Sequence, residues 1–247
     1  MTLRRNTPLK KSSIEHHQCT IDVRREKLRE VPFFQHFDED QLAEIDSSFS
    51  AHHAKNGEII YQQGEAAVYL RILVFGSLRL MHHTGEGKDI LIDLLKPGEY
   101  FGTLPVLGDD TYQETAYAHT DCCILAINQK KMNQLLHAHP SAAVKMIEVT
   151  ASKLKAARST IRNLNNSSVE QRVAAILLML VEKFGEQKHG QTLIQIPLSR
   201  KNIADMAGTA TETISRIMST FQQNGWIESG RQWVAVTDTA FLKKITK

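Results

Sequence analysis

The sequence has little cysteine, no long apolar run and no large excess of one charge, and each shortage excludes something. Only three of 247 residues are cysteine: Cys19, Cys122 and Cys123. Two are adjacent and poorly placed to bridge each other, so no disulfide framework is expected, and so sparse and odd a set suggests a reducing compartment. No stretch of about 18 uncharged apolar residues occurs, which leaves no candidate for a spanning helix. Residues 1–11 are polar and basic, without the apolar segment of a secretory leader. The expectation is a cytoplasmic protein with no membrane partner. No Gly-x-Ser-x-Gly elbow, Walker loop or dinucleotide fingerprint is found. Gly85-Glu86-Gly87 is too short to cradle a phosphate and suits a hairpin turn better, so no enzyme is expected and no catalytic residues are assigned.

What is present is ordinary globular material, 42% hydrophobic and 23% charged, with a net charge of +3 that neither demands nor excludes nucleic acid. Four segments can be separated. Residues 1–24 carry Arg4, Arg5, Lys10 and Lys11 with little apolar pattern and read as a loosely held arm. In residues 25–140 a short helix follows Asp38, an N-cap that offers Leu42, Ile45 and Phe49 to a core. From His52 to Asn128, short β-branched and aromatic runs alternate with turns such as Asn56-Gly57, Phe75-Gly76-Ser77 and Pro97-Gly98. That texture predicts an antiparallel sandwich or barrel.

Residues 141–166 form a long helical tract and a hinge. Val144, Ile147, Ala151, Leu154, Ile161 and Leu164 recur at three- and four-residue intervals along roughly 37 Å of helix. A stripe so long and narrow reads as a coiled-coil seam against a second copy; the alternative is a helix packed on its own sandwich. Asn163 to Ser168 is a polar break, and Ser167 with Glu170 has capping-box spacing for the next helix.

Residues 167–247 hold the segment with the clearest chemistry. Ser199 caps a short helix that ends at Gly208, and Thr209 then caps a second helix whose buried stripe is Ile214, Ile217 and Phe221. Helix, glycine turn, helix is the helix-turn-helix arrangement, whose second helix enters the major groove of double-stranded DNA. Thr211, Glu212, Ser215 and Arg216 face outward at its start, with Thr213 among them, and Ser199, Arg200 and Thr209 lie at the helix ends. Arginine can grip guanine O6 and N7, and glutamate can accept from cytosine N4. Glu212 has two readings from spacing alone, a base contact or the closing member of a capping box with Thr209. Residues 226–236 read as a hairpin turning at Ser229-Gly230, a wing with Arg231 near its tip to meet a phosphate.

Taken in order, these motifs resemble the Crp/Fnr superfamily of bacterial transcription regulators over roughly residues 30–245. The likeness is carried by Lys55-Asn-Gly-Glu-Ile-Ile-Tyr-Gln-Gln-Gly-Glu65, Gly76-Ser-Leu-Arg-Leu80, Lys96-Pro-Gly-Glu-Tyr-Phe-Gly102 and Glu212-Thr-Ile-Ser-Arg216. It implies an α+β protein: an N-terminal antiparallel β-roll (a jelly roll like that of cyclic-nucleotide-binding domains), a long dimerisation helix and a C-terminal winged helix-turn-helix. It also implies a homodimer, an effector at the roll, RNA polymerase as a partner, and Glu212 and Arg216 as readers of base pairs. Ser215 stands where the Fnr branch has serine, which points to a TTGAT-N4-ATCAA palindrome.

The motif positions that serve the family's known signals are altered in this sequence. A cyclic nucleotide needs a Gly-Glu-Leu turn and an Arg-Ser pair; this chain has Gly102-Thr103-Leu104 and Glu114-Thr115, the second reversing the charge that would face a phosphate. The adenine-contacting pair of the long helix is replaced by Ala157 and Arg158. These losses argue against cyclic AMP. Three cysteines, one of them near the N-terminus, argue against an iron–sulfur cluster of the Fnr type. Haem remains open, since the eleven histidines supply axial candidates, but adjacent His-His pairs on strands point to opposite faces and no other metal spacing occurs. A reactive-thiol switch at Cys122 or Cys123 stays open beside the reading of both as inert packing residues.

Overall fold

Strand β8 (Cys122–Asn128) divides the first half of the fold in two, because consecutive side chains leave a strand on opposite faces. The structure, a computed structural model, describes residues 8–9, 19–85, 89–105, 108, 110–188 and 190–246. Within the long helix, the side chains of 153, 156, 157 and 159–166 lie outside the described set, as does nearly all of the arm.

Around β8 lie β1 (Ser50–Ala54), β2 (Ile59–Tyr61), β3 (Tyr69–Phe75), β4 (Leu78–His83), β5 (Asp89–Leu95), β6 (Tyr100–Gly102) and β7 (Thr115–Ala118). They form two four-stranded antiparallel sheets, ordered β1-β8-β3-β6 and β2-β7-β4-β5. Between the sheets, Tyr61, Leu73, Leu78, Phe101, Tyr112, Cys122 and Ile124 make one core. On the outer face of the first sheet, Leu70, Ile72, Cys123, Leu125 and Ile127 make a second. The expected antiparallel roll is present.

The second core is closed by helices. These are α1 (Ile21–Glu30), a single 3-10 turn at Pro32–Phe34, α2 (Glu39–Ser48), α3 (Gln129–Ala138) and the start of α4 (Pro140–Asn166). Leu28, Phe33, Phe34, Leu42, Met132, Ala142 and Met146 are their contributions. Asp38 caps α2 as expected, in a capping box with Gln41.

Two expectations need correction in this half. Residues 21–24 are not part of a loose arm but the first turn of α1, whose only fully enclosed side chain is Leu28 and whose Arg24 pairs with Asp46 at 2.9 Å. A helix so rich in charge shows no apolar stripe in sequence. Nor are all three cysteines outside a framework: Cys19 and Cys123 are joined in a disulfide, with Cα atoms 6.2 Å apart.

The described residues between 19 and 158 form one unit; those from 159 to 246, with residues 8 and 9, form the other. The second contains α5 (Val169–Phe184), β9 (Gly185–Lys188), β10 (Gln191–Ile194), α6 (Arg200–Ala207), α7 (Thr211–Gln223), β11 (Ile227–Gly230), β12 (Trp233–Val236) and α8 (Thr239–Ile245). Its sheet is ordered β11-β12-β10-β9, so the wing is extended by a hairpin that the sequence did not announce. The polar break is also shorter than expected. α4 continues through Asn166, and the cap of α5 is Ser168 with Gln171, one residue beyond the Ser167–Glu170 pair. Polar residues do not by themselves end a helix; the extended backbone at Ser168, the N-cap of α5, marks the break.

Candidate functional site

The helix pair of the second unit is set by its ends. Ser199 accepts from the Asn202 amide at 3.1 Å, while Asn202 Oδ1 accepts from the Ser199 amide at 2.9 Å. This box starts α6. Gly208 stops it at φ 61° and ψ 47°, the left-handed conformation that turns the chain into α7 and favours glycine. Ser199 is thereby occupied by its own helix.

At α7 the structure corrects the cap. The N-cap is Ala210, not Thr209, and no side chain caps the helix. The capping-box reading of Glu212 therefore fails, which leaves its carboxylate to other partners. Ile214, Met218 and Phe221 are fully buried, so Met218 takes the inward place expected of half-buried Ile217. Spacings of four and then three residues keep those three on one stripe. Glu212, Ser215 and Arg216 are exposed, with Thr211 and Thr213 half-buried beside them. Ser215 Oγ donates to the Thr211 carbonyl at 2.9 Å and so holds a fixed orientation. Among the described residues no hydrogen bond or ion pair engages the Glu212 carboxylate or the Arg216 guanidinium, although the Arg216 carbonyl accepts from Thr220 Oγ1 at 3.2 Å.

The wing also differs in detail. Its register pairs Gly230 with Trp233, which places the turn at Arg231-Gln232 rather than Ser229-Gly230. Arg231 is exposed at the tip, as expected. Arg200 is half-buried; its guanidinium donates to Ser229 Oγ at 2.8 Å, and burial lowers its pKa from the ordinary value. Ser229 and Gln222, which join Arg200 in this network, escaped sequence reasoning because nothing in their spacing marks them.

In the roll, Gly102 and Glu114 each approach the Tyr61–Tyr112 pair between the sheets, whereas Leu104 packs in the outer core. Gly102 adopts φ +73°, with a would-be Cβ 3.0 Å from the Tyr69 carbonyl oxygen and 3.3 Å from the Tyr112 ring. Thr103 is half-buried and Leu104 fully buried. Glu114 accepts from the Tyr61 hydroxyl at 2.9 Å, and burial together with that carboxylate pushes the Tyr61 phenol well above its usual range. Thr115 Oγ1 accepts from the Gln63 amide at 3.0 Å. The rings of Tyr61 and Tyr112 stack at 3.9 Å, and the Arg71 guanidinium lies 4.9–5.4 Å from the rings of Tyr61, Tyr69 and Tyr112. The stacked tyrosines belong to the core between the sheets, with the Glu114 carboxylate and the Arg71 guanidinium beside them. Arg158 is exposed, and the Ala157 side chain lies outside the described set.

Along α4 the expected seam faces away from the roll. Ala142 and Met146 enter the core, whereas Val144, Ile147 and Leu154 are 58%, 70% and 53% exposed, and Ala151 is exposed with them. Ile161 and Leu164 fall outside the described side chains. Among the described residues no helix is long and apolar enough to cross a membrane, and no cluster of three or more His, Cys, Asp or Glu could hold a metal ion.

Comparison with known proteins agrees with this geometry. Residues 51–139 match the cyclic nucleotide-binding domain family and residues 171–245 the Crp-like helix-turn-helix domain family. A CRP-like cAMP-activated global transcriptional regulator of Mycobacterium tuberculosis is 22% identical over 219 residues, 89% of this chain and 98% of its own length. The transcriptional activator FnrA of Stutzerimonas stutzeri is 24% identical over 188 residues, 76% of this chain and 77% of its own. The solved structure of FixK2 from Bradyrhizobium japonicum superposes with a TM-score of 0.72 at 22% identity, covering 81% of this chain and 98% of that one.

Proposed function

The chain belongs to the Crp/Fnr superfamily of DNA-binding transcription regulators, and on that premise we propose that it acts as a homodimer reading a TTGAT-N4-ATCAA palindrome. The observation that carries the proposal is the exposed, unengaged pair Glu212 and Arg216, one helical turn apart at the start of α7. A glutamate held near phosphates is unfavourable unless it bonds a base, and with no capping role it is available to accept from cytosine N4. Arg216, on the same face, has the fork that fits guanine O6 and N7.

The dimer is supported by the exposed Val144, Ile147 and Leu154, which are large apolar side chains at seam spacing on a helix whose first turns are already packed on the roll through Ala142 and Met146. Two parallel copies of α4 would present two reading heads, as a palindrome requires. RNA polymerase is the partner expected by family analogy. Control does not run through a cyclic nucleotide, given the tyrosine-filled roll and the carboxylate of Glu114.

Fluorescence anisotropy with the palindrome and a scrambled duplex, across a salt series, tests the reading. Tighter binding to the palindrome at every salt concentration is expected; equal affinity for both duplexes would overturn it.

A further inference from the structure

We propose that Cys19 and Cys123 are a reversible thiol switch, closed by a hydroperoxide and opened by a dithiol, whose closed form is the better DNA binder. Its output rests on the DNA-binding reading above; its chemistry does not.

The geometry treats the three cysteines differently. Cys19 lies one residue ahead of Thr20, the N-cap of α1, and is partly exposed, while Cys123 is fully buried on the outer face of β8. Their Cα separation of 6.2 Å is within the range a disulfide spans, and their sulfurs are bonded across 104 residues of chain. Cys122 faces the opposite core, with its thiol donating to the carbonyls of Ser77 and Thr120, each at 3.1 Å. Burial also pushes that thiol up to about 12, so Cys122 supplies no thiolate near neutral pH. Neighbours in sequence thus have separate fates.

The bonded pair sits where it can matter to the seam helix. Cys123 belongs to the same core as Leu28 of α1 and as Ala142 and Met146, through which α4 is seated on the roll. α1 encloses one side chain fully and is otherwise held by half-buried Val23 and the Arg24–Asp46 pair, and the bond at its start adds a covalent tie to these. Closing the bond fixes α1 over the core from which α4 departs; opening it leaves α1 to its own packing.

The chemistry balances with peroxide as the oxidant. The Cys19 thiolate attacks the peroxide O–O bond to form a sulfenic acid, and the departing oxygen leaves as water after taking a proton. The Cys123 sulfur then attacks the Cys19 sulfur, an S–S bond forms, and the sulfenic oxygen leaves as a second water. Two thiols and one hydrogen peroxide become one disulfide and two waters. A dithiol reverses the change by exchange and is itself oxidised to a disulfide.

The test uses the full chain, reduced, freed of reductant without air, and divided into untreated and peroxide-treated portions. Thiols are alkylated after denaturation and mapped by mass spectrometry, and DNA affinity is read by anisotropy on each portion. Peroxide is expected to remove Cys19 and Cys123 together from the alkylated set, to leave Cys122 alkylated, and to tighten binding to the palindrome at least about fivefold. Cys19→Ser should bind at the reduced level in both portions, whereas Cys122→Ala should keep the response. Alkylation of Cys19 and Cys123 after peroxide, a crosslink through Cys122, or equal or tighter binding in the reduced form would each overturn the proposal. If the crosslink formed but neither portion bound any duplex, the DNA reading and the assigned output would fall while the thiol chemistry stood.

Discussion

The Arg200 guanidinium and the Ser229 hydroxyl are 2.8 Å apart, and the same hydroxyl donates to Gln222 Oε1 at 2.9 Å. One short network therefore ties the first helix of the reading head, the end of the reading helix and the wing. Arg200→Ala should lower stability by about 1.5 kcal/mol, the lower end for a hydrogen bond to a charged group because the site is half-buried. DNA affinity should fall by a similar factor on the palindrome and on a scrambled duplex. Urea midpoints and anisotropy on both duplexes check this; loss confined to the palindrome would make Arg200 a base reader instead.

Glu212 is free of the capping box, so Glu212→Gln should leave stability within about 0.5 kcal/mol. Its effect should appear in base preference, as a loss of about 1–3 kcal/mol of discrimination at one base pair of each half-site. Anisotropy on duplexes changed one pair at a time locates that position. A fall in melting temperature with unchanged preference would return Glu212 to a structural role.

Ile147, at 70% exposure, is more open than Val144 or Leu154. Ile147→Glu places two like charges at one level of a parallel helix pair. The variant should sediment as a monomer at micromolar concentration where the parent is a dimer, with the roll still folded by circular dichroism. A dimer in both would move the interface elsewhere.

Cyclic AMP should bind neither the roll nor the dimer, and isothermal titration should show no saturable heat. Saturable binding would mean that Tyr61, Tyr112 and Glu114 leave the positions described here.

Cys122 gives the roll an alkaline weakness. Its thiol rises from an ordinary value of 9.0 to about 12 on folding, with burial as the main cause. The folded state therefore holds the proton more tightly, and the associated stability is intact below about pH 9 and lost as pH climbs toward 12. Urea midpoints at neutral pH and near pH 10.5 should differ less in Cys122→Ala than in the parent chain. An identical difference in both would assign the loss to other groups.

Local signals made the reading head legible. Ser199, Gly208 and the inward Ile214 and Phe221 each act within a few residues of themselves, and all stand where expected. Expectation and structure differ by one residue at Thr209 against Ala210 and Ile217 against Met218, and by two at the wing turn, because caps and turns depend on single backbone rotations that spacing cannot specify. The β9–β10 hairpin was invisible for another reason: Gly185–Lys188 is short and mostly exposed, with no alternation to read. The Cys19–Cys123 bond lies at the far end of the same scale. Nothing in a sequence brings together residues 104 apart until β8 has a place in a sheet.

Because β8 sends Cys122, Ile124 and Ala126 to one side and Cys123, Leu125 and Ile127 to the other, it acts as a partition between two independently editable compartments. Substitutions that fill or empty the space between the sheets need not disturb the layer that seats the helices. A lineage can lose one kind of chemical sense in the inner compartment and acquire another in the outer one, while the helices that carry the response keep their footing.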